Sequence, residues 1–212
     1  MAKLKLNLDY KKLDFKCFPM IADMLLNQCL LMVNGNKFRL VEIEFYLNCP
    51  THVDPYVHCL EDQLLFRSFY FHRFKNGTYK GGTFKGLDIT FGNKKTETYF
   101  GILIRSIESV ADSNIIEGPC NVVNRILAEY NIESILEFTN GQNLNIDDND
   151  NNFILISKKN LPRKELFIGQ RIGLSAAHPD YQLYPYRFAT NKDKLKKKKT
   201  TLFELDLIDS VD

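Results

Sequence analysis

The chain has 212 residues with 44% hydrophobic and 12% aromatic content, enough for one sizeable core, and its formal charge of +2 excludes a global field strong enough to announce a nucleic-acid partner. Any basic surface must therefore come from local clustering. No apolar run approaches a bilayer span, Met1 to Leu6 lack a signal-peptide core, and the cysteines Cys17, Cys29, Cys49, Cys59 and Cys120 are odd in number and scattered. We therefore expect reduced thiols in an intracellular monomer without a membrane partner, nuclear in a cell with a nucleus and otherwise cytoplasmic.

In chain order, residues 18 to 30 read as a helix, with Pro19 in the first turn and Ile21, Met24 and Leu25 on a core face. Leu30 to Val33, the dipeptide Asn34-Gly35 and Phe38 to Leu47 read as a hairpin, because Asn-Gly supplies the two positive φ angles of a tight turn between β-prone runs. Leu64 to Phe74 and Tyr79 to Phe91 look like further strands, the latter punctuated by Gly81, Gly82 and Gly86. Tyr99 to Ile107 is another. Pro119 to Glu129 has proline at the first helical position and Val122, Val123, Ile126 and Leu127 on one face. Residues 139–152 form an Asn/Asp-rich loop that we expect to lack a packed core of its own, and Phe153 to Ser157, Glu165 to Ile168 and Arg171 to Ser175 read as short strands. The tail, 191–212, joins a lysine run at 194–199 to an acidic-apolar end. It reads either as a disordered terminus or as a DNA-tethering or nuclear-localisation patch. The expectation is one α+β domain over 1–190, in which a strongly bent antiparallel sheet carries the site and helices flank it.

The stretch Arg39 to Leu47 sets acidic groups inside an apolar, β-prone run. Residues two apart in a strand share a face, so Glu42, Glu44 and Tyr46 lie on one side among apolar neighbours. Read from the residues alone, Glu44 is more simply an edge-strand carboxylate paired with a basic neighbour than a catalyst. The run, with Asp54-Pro55-Tyr56-Val57-His58 after it, resembles the "R-x-V-E-T-E-A-Y-L-G" and "D-P-x-x-H-A" segments of the alkyladenine (3-methyladenine) DNA glycosylases. Further pieces agree in order: Leu103-Ile104-Arg105-Ser106-Ile107-Glu108 with "L-L-R-A-L-E", Glu117-Gly118-Pro119 with "S-G-P", and Arg171-Ile172-Gly173-Leu174 and Pro185-Tyr186-Arg187-Phe188 with "R-I-G-I" and "P-W-R-F". Together they span roughly residues 20 to 190.

The resemblance implies a base-excision repair hydrolase acting on damaged (alkylated or deaminated) purines in DNA without metal or cofactor. Glu44 would activate the attacking water, Tyr46 and His58 would hold the flipped base, and Arg105 would line the pocket. His52 is a rival to His58, though only His58 follows the Asp54-Pro55 pair correctly. Between Phe66 and Lys85, aromatic and basic residues interleave, which suits a groove that stacks bases and neutralises phosphates through Arg73, Lys80 and Lys85. Here the chain departs from the family. Lys85 falls where a tyrosine wedges into the duplex, and Gly92 where an asparagine screens purines, with Asn93 one residue out of register. Single-stranded or mismatched targets are therefore the expected preference, and the competing reading is a non-catalytic nucleic-acid or nucleotide-binding module on the same fold. Cys49, His52, His58 and Cys59 lack the paired spacing of a zinc site, so no metal is expected.

Overall fold

The computed structural model describes residue 4 and residues 6–148, 150–158 and 160–205. The helix expected near residue 18 runs Phe18–Gln28 (α1), with Pro19 in its first turn and Phe18, Ile21, Ala22, Leu25 and Leu26 buried. It leads directly into β1 (Cys29–Val33), the Asn34-Gly35 turn with φ of 46° and 82°, and the long strand β2 (Asn36–Cys49). The paired positive φ values are those the Asn-Gly dipeptide favours. After β3 (His52–Val53) and a short 3-10 turn at Glu61–Leu64 come β4 (Phe66–Phe71), β5 (Leu87–Phe91), β6 (Tyr99–Ser109) and β7 (Ile115–Glu117). The helices α2 (Pro119–Glu129) and α3 (Ile135–Asn140) follow, then β8 (Phe153–Ser157), β9 (Phe167–Gly169), α4 (Pro179–Leu183), β10 (Arg187–Ala189) and β11 (Leu202–Glu204).

These strands make one eleven-stranded sheet in which β2 is the spine. All its strand pairs among the described residues are antiparallel: β6 runs along one side of β2, while β1, β10 and β3 share the other in succession. The result is a single α+β domain. On one sheet face, Ile43, Phe45 and Leu47 of β2 and Ile102 and Ile104 of β6 meet α1 and α2 in a continuous core, with Phe18 stacked on Phe45 at 4.4 Å between centroids. Burying one such side chain stabilises the fold by about 1.5–3 kcal/mol. The opposite face carries the charges.

Three segments differ from what the sequence suggests, and a fourth, the Asn/Asp-rich loop, is tied down by contacts its composition does not reveal. Residues 79–86 are not strand: Gly82 takes φ +54°, a 3-10 turn spans Gly82–Phe84, and β5 starts only at Leu87. Arg171 to Ser175 also fails to pair as a strand, because Gly173 turns the chain at φ +81° and the Ile172 N–H is spent on a side chain rather than a neighbouring strand. The Asn/Asp-rich loop is anchored on the main core rather than forming one of its own: Ile146 is fully buried there and its carbonyl accepts the Leu155 N–H, while Asn145 bridges to Ser68. The lysine-rich segment packs on the domain as far as Leu205. Leu195 and Leu202 are buried with Val41 and Ala189, and β11 pairs with β9. The last seven residues, 206–212, lie outside the described ones.

Candidate active site

The strand alternation of β2 decides the site. With Ile43, Phe45 and Leu47 turned to the core, Glu42, Glu44 and Tyr46 face the other way, and β6 opposes them with Ser106, Leu103 and Gly101. Arg105 of β6 lies between the two glutamates, its Nε 3.3 Å from Glu42 Oε1 and its Nη1 3.3 Å from Glu44 Oε1. From the other side Arg187 of β10, itself in register with Glu44, reaches Glu42 Oε1 at 2.7 Å. Ser106 Oγ donates to Glu42 Oε2 at 2.7 Å. Two glutamates and two arginines thus sit buried together with their charges balanced, which is the condition for tolerating ions out of water.

Glu44 has further partners. The Ile172 N–H donates to Oε1 at 2.7 Å and the Tyr46 hydroxyl to Oε2 at 2.9 Å. Burial pushes the Glu44 carboxyl above its ordinary range, opposed by Arg105 and by those two hydrogen bonds. Burial also raises the Tyr46 phenol, and Glu44 beside it adds to the shift. For Arg105, burial works against the charge, yet Glu44 and Glu42 outweigh it and hold the guanidinium above its usual value. The result is a desolvated carboxylate with a tyrosine hydroxyl between it and open space.

That open space is a cavity of about 180 Å3 lined by Tyr46, Tyr56, His58, Gln63, His72, Asp88 and the turn Gly173 to Ser175. Its wall is assembled by Arg171, which pairs with the fully buried Asp54, donates to the Phe45 carbonyl at 3.1 Å, and lies over the rings of Tyr46, Tyr56 and Tyr186 at 4.6, 5.5 and 5.3 Å. The "D-P" aspartate therefore acts as the anchor of the loop that delivers Tyr56 and His58. A positive φ at Cys59 turns the chain away immediately afterwards. His58 lies between Tyr70, whose hydroxyl is 3.1 Å from Nδ1, and Lys80, whose Nζ is 3.0 Å from Nε2. Burial, His72 and Lys80 lower the imidazole to about 4, against the pull of Asp88, so His58 is neutral at pH 7 and accepts from the lysine ammonium. His72 meets His58 edge-on at 4.6 Å, and its Nε2 is 2.7 Å from Asp88 Oδ1.

The structure therefore brings Tyr46 and His58 to the cavity and sets Glu44 and Arg105 side by side behind Tyr46. His52 is packed elsewhere, among Phe15, Phe18, Tyr181 and Tyr186. Of the basic residues expected on a phosphate groove, Arg73 is folded over the Tyr79 ring at 4.4 Å and donates to its hydroxyl, while Lys85 Nζ reaches Asn124 at 2.8 Å. Lys80 and Lys85 border a neighbouring groove of about 580 Å3, and Phe84 between them is 73% exposed. Gln63, His72, Asp88, Tyr56 and Arg171 were not among the expected site residues. Asp88 carried a usable signal, a carboxylate inside the apolar run Leu87 to Phe91, the same pattern that marks Glu44. Gly92 explains itself by contact: a Cβ there would lie 1.9 Å from the Gln63 carbonyl oxygen, so this position takes no side chain while the Glu61–Leu64 turn packs on it.

Among the described residues no three His, Cys, Asp or Glu side chains gather as a metal-binding group, and no helix is long and apolar enough to cross a membrane. No family model matches the sequence. Over 209 residues the chain is 51% identical to a protein of Acanthamoeba polyphaga mimivirus named "Uncharacterized protein L759", an alignment covering 93% of this chain and 97% of that protein. At that identity and coverage, the chain belongs to the same family as this mimivirus protein.

Proposed function

We propose that the protein is a divergent alkyladenine-type DNA glycosylase, a hydrolase that cuts the N-glycosidic bond of a damaged purine flipped out of DNA, with the glycosylase fold that this implies. The observation that carries the reading is Tyr46. Its ring lines a base-sized cavity and its hydroxyl is hydrogen-bonded to a fully buried carboxylate at the end of the sequence motif that resembles the family's. A volume below the roughly 300–1,000 Å3 of drug-sized sites suits one planar base rather than a nucleotide. Tyr46, Tyr56 and His58 supply π faces for it.

In the proposed reaction a water attacks the anomeric carbon and passes its proton to Glu44 through the Tyr46 hydroxyl, which stands between that carboxylate and the cavity, while the C–N bond breaks and the electron pair leaves with the base. The raised carboxyl is a stronger base than an ordinary glutamate, and Arg105 orients it and favours its charged form. Lys80, Lys85 and the exposed Phe84 lie together beside the cavity and suit a DNA strand entering it. The competing reading, a binding module without catalysis, draws on the same residue: Glu44 is already partnered by Ile172, Tyr46 and Arg105.

The test is excision from single- and double-stranded oligonucleotides carrying an alkylated adenine, ethenoadenine or hypoxanthine, with Glu44→Gln as control. Wild-type excision lost in Glu44→Gln supports the hydrolase. Binding of damaged DNA by the wild type without release of any base selects the binding module.

A further inference from the structure

Gln63 and Asp88 stand apart from everything the proposed chemistry uses. Gln63 is 1% exposed and Asp88 2%, and both line the cavity. Each is half-committed. Gln63 Oε1 accepts the Leu60 N–H at 3.5 Å, which orients the amide, and Asp88 Oδ1 faces His72 Nε2 at 2.7 Å. Among the described residues, Gln63 Nε2 and Asp88 Oδ2 take no hydrogen bond, yet neither is sealed from the cavity as an orphaned buried atom would be. The two meet over Gly101 of β6, within 3.0 Å and 2.4 Å of where a Cβ would stand. An unused amide donor and an unused carboxylate acceptor therefore lie side by side in the cavity wall, where the edge of a bound ligand can meet both.

We propose that Gln63 and Asp88 form a recognition subsite for the amidine edge of a heterocyclic base, an exocyclic amino group beside an unprotonated ring nitrogen. Asp88 Oδ2 accepts from the amino group and Gln63 Nε2 donates to the ring nitrogen. An adenine-type base matches this pattern through its 6-amino group and the neighbouring ring nitrogen, whereas hypoxanthine entering in the same orientation presents its 6-carbonyl to the carboxylate and loses that bond. This narrows the proposed damaged-purine substrates to the amino-bearing, alkylated ones and excludes the deaminated ones. It rests on the reading that the cavity accepts a base, but not on whether that base is excised.

The experiment therefore uses nucleosides, whose sugar fixes the direction in which the base enters. The full chain is titrated calorimetrically with the nucleosides of adenine and of hypoxanthine (adenosine and inosine), as wild type, Asp88→Asn and Gln63→Glu. The wild type is expected to bind the adenine nucleoside about tenfold or more tighter, the scale of one good bidentate pair. In Asp88→Asn the amide oxygen still accepts from His72 while its NH2 faces the ligand, so the preference should reverse towards inosine. Gln63→Glu should weaken adenosine by a similar factor, and it serves as the second variant should Asp88→Asn fail to fold. Equal affinities in the wild type, no binding of either nucleoside, or an unchanged adenosine preference in folded Asp88→Asn would overturn the proposal. Adenine selectivity without excision from any oligonucleotide would leave the subsite standing and remove the hydrolase.

Discussion

Burial raises the Glu44 carboxyl, and Arg105, the Ile172 N–H and the Tyr46 hydroxyl oppose that rise. Replacing Glu44 with Gln keeps the shape and removes the base, so excision should fall by about a hundredfold or more while binding of damaged DNA persists. Glu42→Gln should instead destabilise the fold, because it strips the carboxylate that Arg187 meets at 2.7 Å and leaves a buried guanidinium uncompensated, typically about 3–5 kcal/mol. Chemical denaturation and excision kinetics on the two variants separate the roles. With the Glu44 carboxyl raised, the acid limb of the excision rate should lie above 4.5 and disappear in Glu44→Gln. His58 sets a second pH signature. Its imidazole is lowered from 6.5 to about 4 in the fold, so on acidification through that window the unfolded chain takes up the proton first and stability falls. His58→Gln should flatten the fall, by up to about 1.4 kcal/mol per pH unit, when unfolding is followed across that window.

At the scale of elements, the site depends on β2 and β6 staying in register, with Tyr46 opposite Gly101. Gly101→Ala is expected to leave the sheet folded, since the atoms a Cβ would meet are the side-chain ends of Asp88 and Gln63 rather than backbone. It should displace both and lower adenosine affinity about tenfold, with unchanged circular dichroism. The elements with strong local signals were legible in the sequence: α2 begins and ends at Pro119 and Glu129 as its proline and apolar stripe require, and the Asn34-Gly35 turn fixes the β1–β2 hairpin. Period-two alternation also gave the shared face of Glu42, Glu44 and Tyr46. What stayed illegible depends on distant partners. Arg171 to Ser175 has the composition of a strand, but Asp54, 117 positions earlier, takes the arginine, and Glu44 takes the following N–H. Likewise Gln63 is unremarkable in the sequence, and its meeting with Asp88 is invisible until Gly92 and Gly101 let their elements approach.

For the whole molecule, the lysine-rich stretch is a structural strap. Arg187, fully buried, donates to the carbonyls of Lys197 and Lys198 at 3.3 Å, and Leu195 and Leu202 fill a small core behind it. A chain ended at Thr190 should therefore lose several kcal/mol, since each buried leucine alone is worth about 2–5 kcal/mol against its removal, and thermal melting should show a large drop. DNA binding calls for a different measurement. Lys85 is the most available of the expected phosphate contacts, so Lys85→Ala should reduce the slope of log affinity against log salt by about one unit. Arg73→Ala should act mainly through stability, by removing the contact with the Tyr79 ring. An unchanged salt slope in the Arg73, Lys80 and Lys85 triple alanine variant would move the DNA groove elsewhere.

Arg171 also has a consequence for how the protein is made. The cavity wall joins a loop at residues 54–58 to a turn at 171–175, and the links between them are the Arg171 guanidinium held by Asp54 and the Tyr56 hydroxyl donating to the Ser175 carbonyl. During synthesis Asp54, Tyr56 and His58 emerge long before their partners, so a nascent chain stopped short of Arg171 possesses β2, β6 and the helices α1 to α3 but only half a pocket. Closing so long a loop is slow compared with forming the local hairpin. Refolding followed by core fluorescence and by ligand binding should accordingly give two phases, with competence to bind arriving last.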